Sequence, residues 1–383
     1  MNDGGLVSRG ARPGVAPVEA PRALEPVGRY QLIELLGVGG MAEVFKARCS
    51  GPGGFERTVV VKRILRANCE DPEFLSMFVA EAKILGMVHH PNVVQVYDFG
   101  EADGTLFLVL EYVDGPSMLR LIHALRAMER HIPPAIAAHF AYEVCRALDY
   151  VHTLKGSDGE PLNVIHRDVT PSNIVLTSSG ALKLLDFGVA KFRASEARSQ
   201  HGTVKGKPAY LAPEMLESEN IDGRSDLFSL GVVLHELLTQ AALFGSDNDL
   251  VTLRKVMQMP IPKPSELRPD VPPELDAVVM KALERDPARR YQKASDMAHD
   301  LNEFVLSSRL HMGEVERLVG DVLAQMAQPR PPVAVTSVLA WGDAPTALNP
   351  VDEGAGTKRD IGLRFRMSRL GQLFFKHRER SRR

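Results

Sequence analysis

Five short stretches carry residue types that can do chemistry together. The first is Gly37-Val38-Gly39-Gly40-Met41-Ala42-Glu43-Val44, whose glycines let backbone amides approach phosphate oxygens with no Cβ in the way. Such a run is weak by itself. A strand pattern follows it rather than a helix, which argues against a dinucleotide-binding turn. The second is Lys62, closing the run Val59-Val60-Val61. A lysine there is ordinarily a solvated residue on the outer face of a strand. The third is Glu81, on the apolar stripe Phe74, Phe78, Leu85 and Val88. A carboxylate facing a core is costly unless paired. Either Lys62 pairs with it, or the helix end frays and Glu81 reaches water; spacing alone leaves both open. Pairing would hold the Lys62 ammonium toward a bound phosphate chain.

The fourth stretch is His166-Arg167-Asp168-Val169-Thr170-Pro171-Ser172-Asn173, and the fifth is Asp186-Phe187-Gly188. Apolar runs at 173–176 and 182–185 flank the turn Ser178-Ser179-Gly180. A hairpin centred between Ser179 and Gly180 sets Asn173 opposite Asp186. Two oxygen ligands then meet at one end of a hairpin, which suits a hard divalent cation. Asp168 lies just upstream, free to accept a hydroxyl proton. A hairpin with polar ends is commonplace, so each residue alone has a bland structural reading; the set does not.

These residues need elements to position them. Strand signals cover 30–36, 43–47, 58–64, 93–97 and 105–113. A helix starts at Asp71-Pro72-Glu73, where Asp71 can cap, Pro72 fits the first turn and Glu73 suits the positive dipole end. Helical spacing then dominates at 135–152, 226–239, 273–284 and 294–305. The order predicts an α+β fold of two lobes: a small N-terminal β-sheet lobe with one key helix and a larger, mainly helical C-terminal lobe. Residues 153–163 read as a polar surface insertion. We expect a disordered segment at 1–27, the main domain at 28–306, a helical extension at 307–328, a Pro/Ala/Gly-rich linker at 329–357 and a basic amphipathic tail at 358–383.

The 383 residues carry a net charge of −2, so no global field points to nucleic acid. The charge is uneven. Residues 358–383 hold ten Lys/Arg against two Asp/Glu, which leaves 36 Lys/Arg against 46 Asp/Glu in the remainder. Cys49, Cys69 and Cys145 are too scattered for a metal site or a disulfide framework, which suits a reducing compartment. The N-terminus has no apolar signal core and no later stretch is long enough to span a bilayer. The expected location is cytoplasmic.

In order, the glycine flap, the strand lysine, the helix glutamate, His166-Arg167-Asp168 with Asn173, Asp186-Phe187-Gly188 and Ala212-Pro213-Glu214 resemble the motifs of bacterial Hanks-type serine/threonine protein kinases over about 28–306. The resemblance implies transfer of the γ-phosphoryl group of ATP to protein Ser/Thr hydroxyls. Asp168 would be the catalytic base, while Asn173 and Asp186 would hold Mg²⁺. Lys62 would contact ATP and pair with Glu81. Leu36 and the flap from Gly37 to Val44 would cover the nucleotide. Leu110 would be the gatekeeper, and backbone groups of Glu111 and Val113 would bind the adenine edge. Val44, Val60 and Val175 would enclose the ring. Leu85, Val96, His166 and Phe187 would stack between the lobes. Asp226 would brace the catalytic loop, and Glu214 would pair with Arg290.

Two positions depart from the family pattern. Thr170 stands where most relatives carry a γ-phosphate-binding lysine, and Lys207 stands where they carry threonine. The exchange suggests that Lys207 supplies the missing cation from the opposite side. Ser172 replaces a glutamate common in relatives that prefer basic substrates. Ser195, Ser199 and Thr203 are candidate self-phosphorylation sites, Thr203 first, with Arg167 as the phosphate's partner. The loop 206–214 fits the serine/threonine frame better than the tyrosine one. In the tail, Leu363, Met367, Leu370 and Phe374 repeat at helical spacing among basic residues. That suits an anionic membrane surface or an acidic partner, and equally a basic tail that only aids solubility. The competing class is a pseudokinase scaffold, supported by Thr170 and opposed by the joint presence of Lys62, Glu81, Asp168, Asn173 and Asp186.

Overall fold

The computed structural model describes residues 24–187, 208–217 and 221–328. Five antiparallel strands come first: β1 (Tyr30–Val38), β2 (Ala42–Ser50), β3 (Glu56–Ile64), β4 (Val96–Ala102) and β5 (Thr105–Glu111), in the order β1-β2-β3-β5-β4. Opposed residues share a face. Val44 opposes Lys62, Lys46 opposes Val60, and on the next strand Val60 opposes Leu110 and Lys62 opposes Leu108. Phe45, Ala47, Val59, Val61 and Val109 alternate to the other face and close a separate core with Tyr30, Leu32 and Phe107. Valines and lysines of β2 and β3 are thereby left facing the cleft.

Two boundaries differ from the sequence expectation. Val27, expected in the disordered leader, is buried in that small core and exchanges backbone hydrogen bonds of 2.9 Å with Tyr30, across a turn in which Gly28 takes φ +54°. The run at 93–97 enters β4 only at Val96. Val93 and Val94 instead bury against the large lobe, where the Val94 N–H donates to the Leu184 carbonyl at 3.0 Å. Their apolar side chains gain more by bridging the lobes than by lengthening an edge strand.

Helix α1 (Pro72–Met87) begins at the expected proline and buries Phe74, Phe78 and Leu85 with Glu81 on the same stripe. The larger lobe holds α2 (Met118–Ala127), α3 (Pro134–His152), the hairpin strands β6 (Ile174–Leu176) and β7 (Leu182–Leu184), α4 (Glu214–Glu217), α5 (Arg224–Thr239), α6 (Asp249–Gln258), α7 (Pro264–Leu267), α8 (Pro273–Ala282), α9 (Ala294–Ser307) and α10 (Met312–Ala327). Every residue of α5 from Ser225 to Leu238 is buried, so α5 is the axis of the lobe, with α3 and α8 packed on it. Among the described residues, no helix is long and apolar enough to cross a membrane.

The hairpin register is shifted by one from the sequence expectation. Ile174 opposes Leu184 and Val175 opposes Lys183. The reason is the turn. Thr177 donates to the Ala181 carbonyl at 2.7 Å, and Gly180, at φ +82°, donates to Thr177 at 2.9 Å. That closes a three-residue loop with its glycine in the left-handed region. Asn173 therefore meets Leu185, whose N–H donates to the Asn173 carbonyl at 2.7 Å, and Asp186 follows as the next residue.

Candidate active site

Strand β3 and helix α1 converge on one cation. Lys62 Nζ lies 2.8 Å from Glu81 Oε1 and 3.0 Å from Asp186 Oδ1. Glu81 is 3% exposed, so fraying of the helix end is excluded as its way to water. Burial opposes the Lys62 charge, but the carboxylates of Asp186 and Glu81 overcome it and hold the ammonium's pKa well above the usual lysine range. A buried charge without such partners would cost several kcal/mol, of order 3–5.

The loop from His166 to Asn173 hangs from α5. Asp226, fully buried, accepts the His166 and Arg167 backbone N–H groups, each at 2.8 Å, and the His152 Nε2–H at 2.8 Å. Burial opposes the Asp226 charge, yet the hydrogen bond from His152 and the backbone donors keep its carboxyl below the usual range. Arg167 at φ +67° and Asp186 at φ +43° sit in the left-handed region that non-glycine residues avoid. Such conformations persist where the surroundings over-determine them. The Asn173 amide donates to the Asp168 carboxylate at 2.5 Å and to its backbone carbonyl at 2.9 Å, which orients the carboxylate.

Burial lowers the His166 pKa, so the ring is neutral. It donates from Nε2 to the Leu185 carbonyl at 2.9 Å and accepts the Asp168 N–H at Nδ1 at 3.3 Å. Its centroid is 4.7 Å from that of Phe187. Leu85 is buried above and Val96 is half-buried against the same core.

On the other side of the cleft, Leu110 is buried and is the next-to-last residue of β5, which ends at Glu111 and leads to Val113. The Glu111 N–H is taken by the Gln95 carbonyl at 2.8 Å, so a base edge at this residue would meet the carbonyl instead. The Glu111 carboxylate pairs with Lys183 at 2.8 Å. The sequence gives no sign of that pair, since both residues read as ordinary surface charges 72 positions apart. Val44 and Val60 face the cleft from above, and Val175 is buried in β6 below. The flap turn is closed by the Gly39 N–H donating to the Ala42 carbonyl at 2.8 Å. Leu36 and Val38 are exposed, Met41 is half-buried, and Glu43 is tied to Arg63 at 2.9 Å.

Thr170 is 2% exposed, and its hydroxyl has no hydrogen-bond partner among the described residues. Lys207, Gly188, the candidate sites Ser195, Ser199 and Thr203, and the tail at 358–383 lie outside the described residues. The donor chemistry fits Mg²⁺. With its amide nitrogen turned to Asp168, Asn173 presents its amide oxygen the other way, and Asp186 adds a carboxylate. Among the described residues no cluster of three or more His, Cys, Asp or Glu forms a closed metal cage. Mg²⁺ needs none, since it keeps waters and substrate phosphates in its shell.

Below the cleft, Arg290, with a fully buried side chain, forms a two-pronged pair with Glu214 at 2.7 and 3.1 Å, and Ser225 Oγ donates to the same carboxylate at 3.0 Å. Two supports escape the sequence. Tyr210 Oη donates to Glu236 at 2.7 Å, and His152 reaches Asp226. A histidine on the buried stripe of α3 was the available signal for the second.

The fold and this site define a protein kinase. A model of the protein kinase domain matches residues 30–301, and the chain belongs to that family. Its relatives are bacterial protein kinases, most of them named as serine/threonine kinases and one as a tyrosine kinase. Serine/threonine-protein kinase PknB of Mycolicibacterium smegmatis is 40% identical over 294 residues, covering 75% of this chain and 43% of PknB. Tyrosine-protein kinase MasK of Myxococcus xanthus is 39% identical over 282 residues, covering 74% of this chain and 44% of MasK. The crystal structure of the Mycobacterium tuberculosis PknI kinase domain superposes with a TM-score of 0.55 at 29% identity, covering 74% of this chain and 99% of that one. The chain spans less than half the length of these curated relatives.

Proposed function

We propose that this protein is an ATP-dependent serine/threonine protein kinase that phosphorylates protein hydroxyls, itself included, in cytoplasmic signalling. The observation that carries the reading is the Lys62 ammonium held by both Glu81 and Asp186. A scaffold that only binds partners has no use for a cation fixed between a sheet, a helix and a cation-ligand carboxylate.

Each residue then has a task. Lys62 holds the α- and β-phosphates. The flap amides from Gly37 to Val44 cover them, and Leu36, Val44, Val60 and Val175 enclose the base. The Glu111 carbonyl and the Val113 N–H read its edge. Asn173 and Asp186 hold Mg²⁺, which when bound neutralises charge on the phosphates. Asp168, aimed by Asn173, accepts the acceptor hydroxyl's proton at its carboxylate. Lys207 supplies the γ-phosphate cation that Thr170 cannot, and the Thr170 hydroxyl, which has no partner among the described residues, supports a polar group arriving there. Thr203, Ser199 or Ser195 takes the activating phosphate, and the basic tail engages an anionic membrane surface or an acidic partner; nucleic acid is not a partner.

The relatives' names divide on the acceptor, so the test is phosphoamino-acid analysis of protein incubated with Mg-ATP. Phosphoserine and phosphothreonine support the proposal. Phosphotyrosine alone would overturn the acceptor class, and no incorporation would leave the scaffold reading in its place.

A further inference from the structure

Helix α10 (Met312–Ala327) lies beyond the matched residues 30–301, yet it is built into the large lobe. Val315, Leu318, Val319 and Val322 recur at helical spacing and are buried. The helix lies along α2, and Asp321 pairs with Arg130, just past the end of α2, at 2.7 Å. Its first turn sits on the tip of the β6–β7 hairpin. A Cβ added to Gly180 would stand 2.9 Å from Val315 Cγ1.

Both surfaces it touches lead to the nucleotide pocket. The Ser178 N–H donates to the Asp114 carbonyl at 3.1 Å and the Leu176 N–H to the Pro116 carbonyl at 3.0 Å, so the hairpin is stitched to the segment just after Val113. The approach is close: a Cβ on Gly115 would overlap the Leu176 carbonyl oxygen at 1.9 Å. Ser117, which caps α2, bridges Val175. The segment after Val113, the pocket floor and α2 thus form one hydrogen-bonded unit, and α10 packs on two of its sides.

We infer that α10 is a built-in brace of the nucleotide site. Docked, it fixes the Val175 floor against the Val113 edge; undocked, it leaves both free to drift. The inference rests on reading this pocket as the ATP site. Val315, Val319 and Asp321 are positioning residues that touch no substrate.

The test uses the full chain with Val315→Ala and Val319→Ala combined. Amide exchange over 312–327 reports undocking, and titration with Mg-ATP reports affinity. We expect faster exchange in α10, a Kd and KM for ATP raised about five-fold or more, and turnover at saturating ATP within about twofold of wild type. Faster α10 exchange with unchanged ATP affinity would overturn the brace. If the double variant does not fold, Val315→Ala alone, which trims the contact on Gly180 together with part of the core packing, is judged by the same two readouts. Wild-type protein that bound no ATP would overturn the reading of the site itself.

Discussion

The Lys62 ammonium stands 2.8 Å from the Glu81 carboxylate, joining a sheet strand to the one long helix of the small lobe. Glu81 is buried, so this contact satisfies both charges and sets where the lysine points. Glu81→Gln keeps the shape and removes the charge. We predict that turnover falls by about 10²-fold while the protein stays folded. Steady-state kinetics with Mg-ATP checks this; turnover within about twofold of wild type would show that the pair is ornamental.

Thr170 and Lys207 form the second test. The buried Thr170 hydroxyl has no partner among the described residues, and a buried hydroxyl is ordinarily hydrogen-bonded. If Lys207 fills the role, Lys207→Ala lowers turnover by about 10²-fold, and adding Thr170→Lys to it restores part of the loss. Near wild-type turnover of Lys207→Ala would sink the exchange.

The Glu214–Arg290 pair predicts a stability effect. Arg290 has a fully buried side chain and also donates to the Arg224 and Glu284 carbonyls, at 2.6 and 3.0 Å. Arg290→Ala leaves Glu214 unpaired and should cost about 3–5 kcal/mol in urea unfolding. Arg290→Lys should recover only a minor part, because one ammonium cannot make the two-pronged contact. Full recovery by lysine would contradict the geometry.

Protonation gives a third observable. Burial lowers the pKa of His166 and His235 from the ordinary 6.5, and both are fully buried. Unfolded, they take protons near the ordinary value; folded, they resist until lower pH. The unfolded state then binds more protons, so this contribution to stability is complete above that value and is lost as pH falls below it. We predict a melting temperature several degrees lower at about pH 5.5 than at about pH 7.5. An equal or higher value at the lower pH would contradict neutral buried rings.

Sequence spacing offered the Lys62–Glu81 pair as one of two readings, since one residue lies on a helical stripe and the other on a strand, and the burial of Glu81 beside Lys62 decides between them. It placed Asn173 opposite Asp186 only by assuming an even hairpin loop; Gly180 in the left-handed region makes the loop odd and moves the register by one. Lys183–Glu111 was invisible, since nothing local distinguishes a paired surface lysine from a solvated one. The role of Val93 and Val94 as a bridge was hidden for a related reason: an apolar pair reads as a strand whichever lobe it packs against. Helices α2, α6 and α7 are short, and their stability comes from docking more than from their own pattern.

The central claim is that Asp168, held by Asn173 at 2.5 Å, is the base of a phosphotransfer reaction. The most direct measurement compares wild type with Asp168→Asn in two assays, Mg-ATP binding and phosphate incorporation from ATP into protein. The account predicts ATP affinity within about twofold of wild type and incorporation reduced by about 10²–10⁴-fold. Equal incorporation by the two proteins would contradict it.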